Sequence, residues 1–231
     1  MGKGMCILLG MPLLALTMAG CSTGLQRTAL EDRLAAGYPP APSPEPKALA
    51  VPVKLAVCLQ MERRSSTGFQ PVPRLDWNRK DKEMLIAYLT DGRHLKALSE
   101  FVFLPPETPT DPAALATAAH AQGADAVLVL RGVMDVDWYC NPAVLLDLTL
   151  IGAMLIPGSH RDVMVALRAD LFDLRDNRGL VWTGTADETC KINGPTLVID
   201  TRDAADPARK AVLRRALERF YLYLRRQAPT G

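Results

Sequence analysis

Histidine is scarce in this 231-residue chain, with only His94, His120 and His160. They are scattered, with no local partner pattern of the kind that general acid–base catalysis needs. No H-E-x-x-H, C-x-x-C or G-x-S-x-G occurs, and no glycine loop suited to cradling phosphate. Gly158-Ser159-His160 lacks a strand-to-helix elbow, and a turn after Pro157 explains it. No catalytic residue, cofactor or metal is therefore expected. Strong charge of one sign is missing too: the formal net charge is +2, so no field invites nucleic acid. Long apolar runs are also absent. Met5 to Met18 falls short of the ~20 residues that cross a bilayer as a helix.

What is present at the start is an address. Lys3 supplies a positive tip, Met5 to Met18 is almost wholly apolar, and Met18-Ala19-Gly20-Cys21 brings small residues to a cleavage site. That order is the signature of a secretory signal peptide. A cysteine directly after Ala-Gly resembles a bacterial lipobox. The resemblance implies that Cys21 becomes the mature N-terminus and carries acyl chains on its sulfur and amine. The alternative is a plain signal peptide with a cysteine near the cut. Several acyl chains hold a protein stably where one holds it marginally. Ser22 after the cysteine resembles the sorting pattern for the outer membrane, whose periplasmic face is the expected location.

Three segments are expected: a signal peptide over 1–20, a lipidated N-terminus and tether over 21–50, and a single periplasmic α/β domain over 51–228. Thr28 to Ala36 carries Leu30, Leu34 and Ala35 and suits a short helical turn. Pro39, Pro40, Pro42, Pro44 and Pro46 then favour extended polyproline II, a semi-rigid spacer.

Five cysteines occur. Cys6 leaves with the signal peptide and Cys21 is the lipidation candidate. Cys58 lies in the apolar run Val53 to Leu59 and reads as a buried thiol. Cys140 and Cys190 each end a strand-like segment in a compartment that permits disulfides, so a structural Cys140–Cys190 bond is the expected pairing.

The domain reads as α/β: a mixed sheet with a βαβαβ first half, an antiparallel hairpin second half and a long C-terminal helix. Val53 to Leu59, Phe101 to Leu104 and Ala124 to Val133 suit buried strands. Asp81 to Leu98 has helical spacing, and Asp111-Pro112 opens another helix that ends before Gly123. Asp162 to Asp173 alternates and returns as Leu180 to Ala186 after the turn Asp176-Asn177-Arg178-Gly179. A last helix spans about Asp203 to Arg226. Its basic run, from Arg209 and Lys210 to Arg225 and Arg226, reads as a solvated face. Arg215, Arg219 and Arg226 are the candidates for touching anionic headgroups or an acidic partner. Asp135, Asp137, Asp170, Asp173, Asp176 and Asp187 read as solvated strand edges and turns, since no calcium-binding loop is visible.

Ala143 to Gly158 is the unusual segment, apolar and interrupted by Asp147. It reads as a core element joining Cys140 to the hairpin, or as an exposed element that docks on a partner or dips into a bilayer. Leu150, Ile151 and Met154 are its candidate contact residues.

Leu150-Ile151-Gly152-Ala153-Met154-Leu155-Ile156-Pro157-Gly158, followed by a hairpin containing Asp170-Leu171-Phe172-Asp173, resembles the rhombotarget (rhombotail) lipoproteins. The resemblance implies an α/β layer fold like the N-terminal domain of TolB and the curli secretion lipoprotein, and no established enzymatic activity. The leading expectation is a non-enzymatic interaction or assembly module of the cell envelope. It would hold the membrane through its acyl chains and engage an envelope protein. The alternatives are an oligomeric secretion-accessory or small-ligand-binding lipoprotein, a homo-oligomer in the first case. A hydrolase using Cys190 or Ser159 ranks third.

Overall fold

The computed structural model describes residues 48–65, 77–94, 96–105, 107–109, 111–140, 149–175, 179–195 and 197–228, with isolated positions between 25 and 34. Five strands form one sheet: β1 (Val53–Ser65), β2 (Leu98–Phe103), β3 (Ala126–Cys140), β4 (Ser159–Asp173) and β5 (Gly179–Gly194), in the order β2-β1-β3-β4-β5. β1 runs parallel to β2 and β3, while β3–β4 and β4–β5 are antiparallel. The helices α1 (Arg79–His94), α2 (Pro112–Ala121), α3 (Leu150–Leu155) and α4 (Thr201–Gln227) accompany them. The mixed sheet, the βαβαβ half, the hairpin and the long last helix are as the sequence predicts.

Strand periodicity explains the layering. Leu55 and Val57 of β1, Leu128 and Leu130 of β3, and Val163, Val165 and Leu167 of β4 face one side. There they meet Leu85 and Leu89 of α1 and Val212, Leu213, Leu217 and Phe220 of α4. Each such leucine or valine, fully buried, is worth about 1.5–3 kcal/mol. The opposite face carries Ala56, Cys58, Val127 and Val129, packed under Leu115 and Ala119 of α2. Asp111 caps α2 by accepting from Ala114 N at 3.0 Å, and Gly123 at φ +66 ends it. Parallel crossovers with helices on both faces require strands that are apolar on both sides.

Further along that second face, Leu34 and Leu25 pack against Val133, Met164 and Ala166. Thr28, Ala29, Asp32 and Leu34 have helical backbone, matching the expected turn. Leu34 nevertheless belongs to the packed body, so this part of the 21–50 segment is not a free spacer. The signal peptide, Cys21 and the proline stretch lie outside the described residues.

Three expectations need correction. Arg209 is not on a solvated face: it is 1% exposed. Its Nε donates to Asp81 Oδ2 at 2.7 Å, and its Nη2 to Asp206 Oδ1 at 2.8 Å. Asp135, Asp137, Asp170 and Asp173 are buried within the sheet rather than solvated at its edges. Asp170 is held by Arg168 Nε and by the Thr183 hydroxyl, Asp173 by Arg175. Third, no Cys140–Cys190 bond joins the strands, because Cys190 is a free thiol. Cys140 lies opposite Ser159, which lies opposite Gly194, four residues beyond Cys190 on the far side of β4. Two strand spacings and four residues of rise separate their Cα atoms by roughly 16 Å. A disulfide spans at most about 7 Å.

Candidate functional site

One end of the sheet gathers the exposed apolar side chains. Cys140, Ser159 and Gly194 are aligned across β3, β4 and β5. The residues leading into β4 and those leaving β5 must therefore emerge together. Thr149 caps α3 by accepting from Gly152 N at 3.0 Å, and Ile156 N closes its last turn on Gly152 O at 2.9 Å. Gly152 is buried beneath this short helix, which turns Ile151 and Leu155 outward, each 72% exposed, with Met154 half-exposed beside them. After β5, Leu197 and Val198 stand 62% exposed in the turn before α4. Scattered exposed apolar residues are ordinary; several on two segments that leave the same end of a sheet mark a candidate contact surface.

The expected partner residues are thus placed in part. Ile151 and Met154 are exposed on α3; the Leu150 side chain and residues 143–148 lie outside the described residues. The sequence reading held Leu155 within its apolar segment without singling it out, and it missed Leu197 and Val198. The available signal for the last two was an apolar pair between the breaker Gly194-Pro195 and the helix cap Asp200.

Behind this end the sheet is polar on the α2 face. Asp137 lies directly opposite Asp162, whose carboxylate pairs with Lys191 at 3.0 Å. That hydrogen bond, and then the charge itself, raise the Lys191 pKa. Tyr139 and His160 stack with ring centroids 4.9 Å apart, nearly parallel. Among the described residues no group of three or more His, Cys, Asp or Glu side chains is arranged to hold a metal ion. Ser159 is fully buried, and Cys190, half-buried, packs at the margin of the main core. Burial pushes the Cys58 thiol up to about 11, against a weaker opposing hydrogen bond from Gln60, which makes it a poor nucleophile.

A concavity of about 780 Å³ opens past the carboxyl end of β2, beside Leu59, Gln60 and Met61 in the middle of β1. Leu59, Met61, Trp77 and Phe103 form its apolar walls, with Lys82 at its side. Crevices at the carboxyl ends of parallel strands are common ligand sites.

On α4, Arg215 donates to Asp187 O and Arg219 to Thr185 O. These two side chains cover carbonyls of the edge strand β5, which blunts it against pairing with another chain.

No known family profile matches the chain, and no curated protein sequence matches it. Solved structures to which it is similar include a PelC dodecamer from Paraburkholderia phytofirmans. That match has 16% identity, a TM-score of 0.35, and covers 80% of this chain and 96% of that one. The LpoB C-terminal domain from Salmonella enterica is similar at 13% identity and TM-score 0.35, over 69% of this chain and 93% of that one. Lipoprotein GNA1162 from Neisseria meningitidis is similar at 13% identity and TM-score 0.30, over 71% and 97%.

Proposed function

We propose that this chain is a lipoprotein of the bacterial envelope, anchored through acylated Cys21 at the periplasmic face of the outer membrane. Its α/β domain, residues 51–228, serves as a non-enzymatic interaction module. The observation that carries the reading is the uncovered apolar end of the sheet, where Ile151, Met154 and Leu155 stand outward on a capped helix. A surface of that kind loses free energy to water until something covers it, at about 25 cal/mol per Å². Support for the anchor comes from the apolar run and small residues that precede Cys21. Among the described residues no helix is long and apolar enough to cross a membrane.

Two measurements test the reading. Metabolic labelling with a fatty-acid probe is expected to mark the wild-type chain and not Cys21→Ala, with loss of the latter from sedimented outer membranes. Ile151→Asp and Leu155→Asp are expected to fold normally by circular dichroism and to lose the envelope crosslinks of the wild type. Normal folding with every crosslink retained would reject this surface.

The concavity beside Trp77 and Lys82 favours a second reading, a small-ligand carrier. Its apolar walls and Lys82 suit an apolar molecule bearing an anionic group. Native mass spectrometry of protein extracted from envelopes would reveal such a ligand as a discrete mass increment, absent from Trp77→Ala.

A further inference from the structure

We propose that the apolar end of the sheet rests on the same lipid bilayer that holds the acyl chains, placing Ile151, Leu155, Leu197 and Val198 among headgroups and upper acyl carbons. This rests on the reading of Cys21 as the anchor and names what the exposed surface meets.

The argument begins with the length of the leash. Leu25 packs against Val133, Met164 and Ala166 on the α2 face of the sheet. Cys21 lies four residues before it, a span of at most about 14 Å when fully extended. The acyl chains begin at Cys21, so the bilayer surface is held within that distance of Leu25. Met164 is five residues along β4 from Ser159, where the sheet ends, or about 17 Å. The apolar end therefore lies one short leash and one half-strand from the anchor. A long spacer would let the domain roam; a leash this short holds it against the membrane, and some part of its surface must make the contact.

Exposure then selects which part. Among the described residues the large apolar side chains open to solvent are Ile86, Leu222 and the five at the end of the sheet. Ile86 belongs to α1 and Leu222 to α4, the two helices on the face opposite Leu25. Among the described residues, only the end of the sheet is both apolar and within reach.

Its chemistry also suits lipid. Residues 149–158 and 195–199 contain no charged side chain. Among the described residues the charges behind them are engaged: Lys191 with Asp162 at 3.0 Å, Arg202 with Asp200 at 2.6 Å, and the buried Arg161 over the Trp138 ring at 4.0 Å. Among the described residues, pressing this end into an interface therefore desolvates no charge that is neither paired nor already buried. It would add a second membrane signal to the acyl chains, the combination that makes anchoring stable.

The test is photocrosslinking of the full chain in intact envelopes. A benzophenone amino acid replaces Ile151, Leu155 or, as a control, Ile86, and the purified chain is weighed intact. Phospholipid adducts from positions 151 and 155, with none from 86, are the expected result. A protein adduct from 155 without any lipid adduct overturns the bilayer contact and leaves the interaction module standing. No adduct from 151 or 155 on an acylated chain rejects the surface in both readings. An unacylated Cys21, read from the same intact mass, removes the anchor and this proposal with it.

Discussion

Arg209 Nε lies 2.7 Å from Asp81 Oδ2, and each side chain is only 1% exposed. The pair joins α4 to the first turn of α1 across 128 residues of sequence. Asp81 has a second task there. It accepts from Asn78 N at 2.9 Å while Asn78 Oδ1 accepts from Asp81 N at 3.0 Å, a reciprocal cap on the helix. One carboxylate thus starts α1 and fastens it to α4.

Removing that carboxylate leaves Arg209 with Asp206, which is half-exposed, as its remaining partner. Asp81→Ala is expected to cost about 3–5 kcal/mol, because a buried guanidinium is left undercompensated and a cap is lost. The double variant Asp81→Ala/Arg209→Met should recover much of this, since burying an apolar side chain in place of an ion pair is often neutral. Urea unfolding of the two variants beside wild type checks both statements. Equal stability of single and double variants would show that the buried charge carries no penalty.

Gly184 is needed as glycine. A Cβ built there would lie 2.8 Å from two ring carbons of Trp182, and that indole packs against Phe220 and Tyr223 at centroid distances of 5.4 and 5.8 Å. A rigid ring wedged between β5 and α4 has little room to yield. Gly184→Ala should therefore destabilise by about 1–3 kcal/mol and redden the Trp182 emission as the ring is pushed toward water. An unchanged thermal midpoint would show that the ring moves freely.

The sheet was legible because its strands announce themselves by apolar runs and by alternation, as in Val163, Val165, Leu167, Ala169 and Leu171. β3 extends to Cys140, past the expected end at Val133, because Asp135 and Asp137 occupy inward positions where alternation calls for apolar residues. Arg209 was misread for a related reason: its burial depends on Asp81 in a distant helix, which periodicity does not encode. Ile151 and Met154 could be singled out from an uncharged apolar stretch. The exposure of Leu197 and Val198 could not, since an apolar residue is buried or bare according to what the tertiary fold lays over it. Leu34, followed by a proline-rich stretch, reads as tether until the sheet face that receives it is built.

The cysteines give a direct check on register. Native protein treated with iodoacetamide at pH 8 should be modified at Cys190, which is free and half-buried. Cys58 should resist until the chain is unfolded, because it is buried and its pKa is raised to about 11. Non-reducing peptide mapping should yield no peptide joining Cys140 to Cys190. Recovery of that linked peptide from native protein would contradict the four-residue offset across β4.

Tyr223 gives stability an alkaline limit. Burial first, and then the negative field of Asp173, raise its phenol from 10 to about 12. The folded chain therefore holds this proton more tightly than the unfolded chain does. Its contribution is fully present below pH 10 and is lost as pH rises toward 12, where the folded phenol also ionises. Tyr223→Phe should remove that slope and keep the ring packing against Trp182. Cys58 titrates in the same region, so the informative quantity is the difference in unfolding midpoint between wild type and variant as pH rises from 9 to 12. That difference is expected to grow in favour of the variant above pH 10, and absorbance near 295 nm should show one phenol titrating last, absent from Tyr223→Phe. A difference independent of pH would mean that Tyr223 is as open to solvent in the folded chain as in the unfolded one.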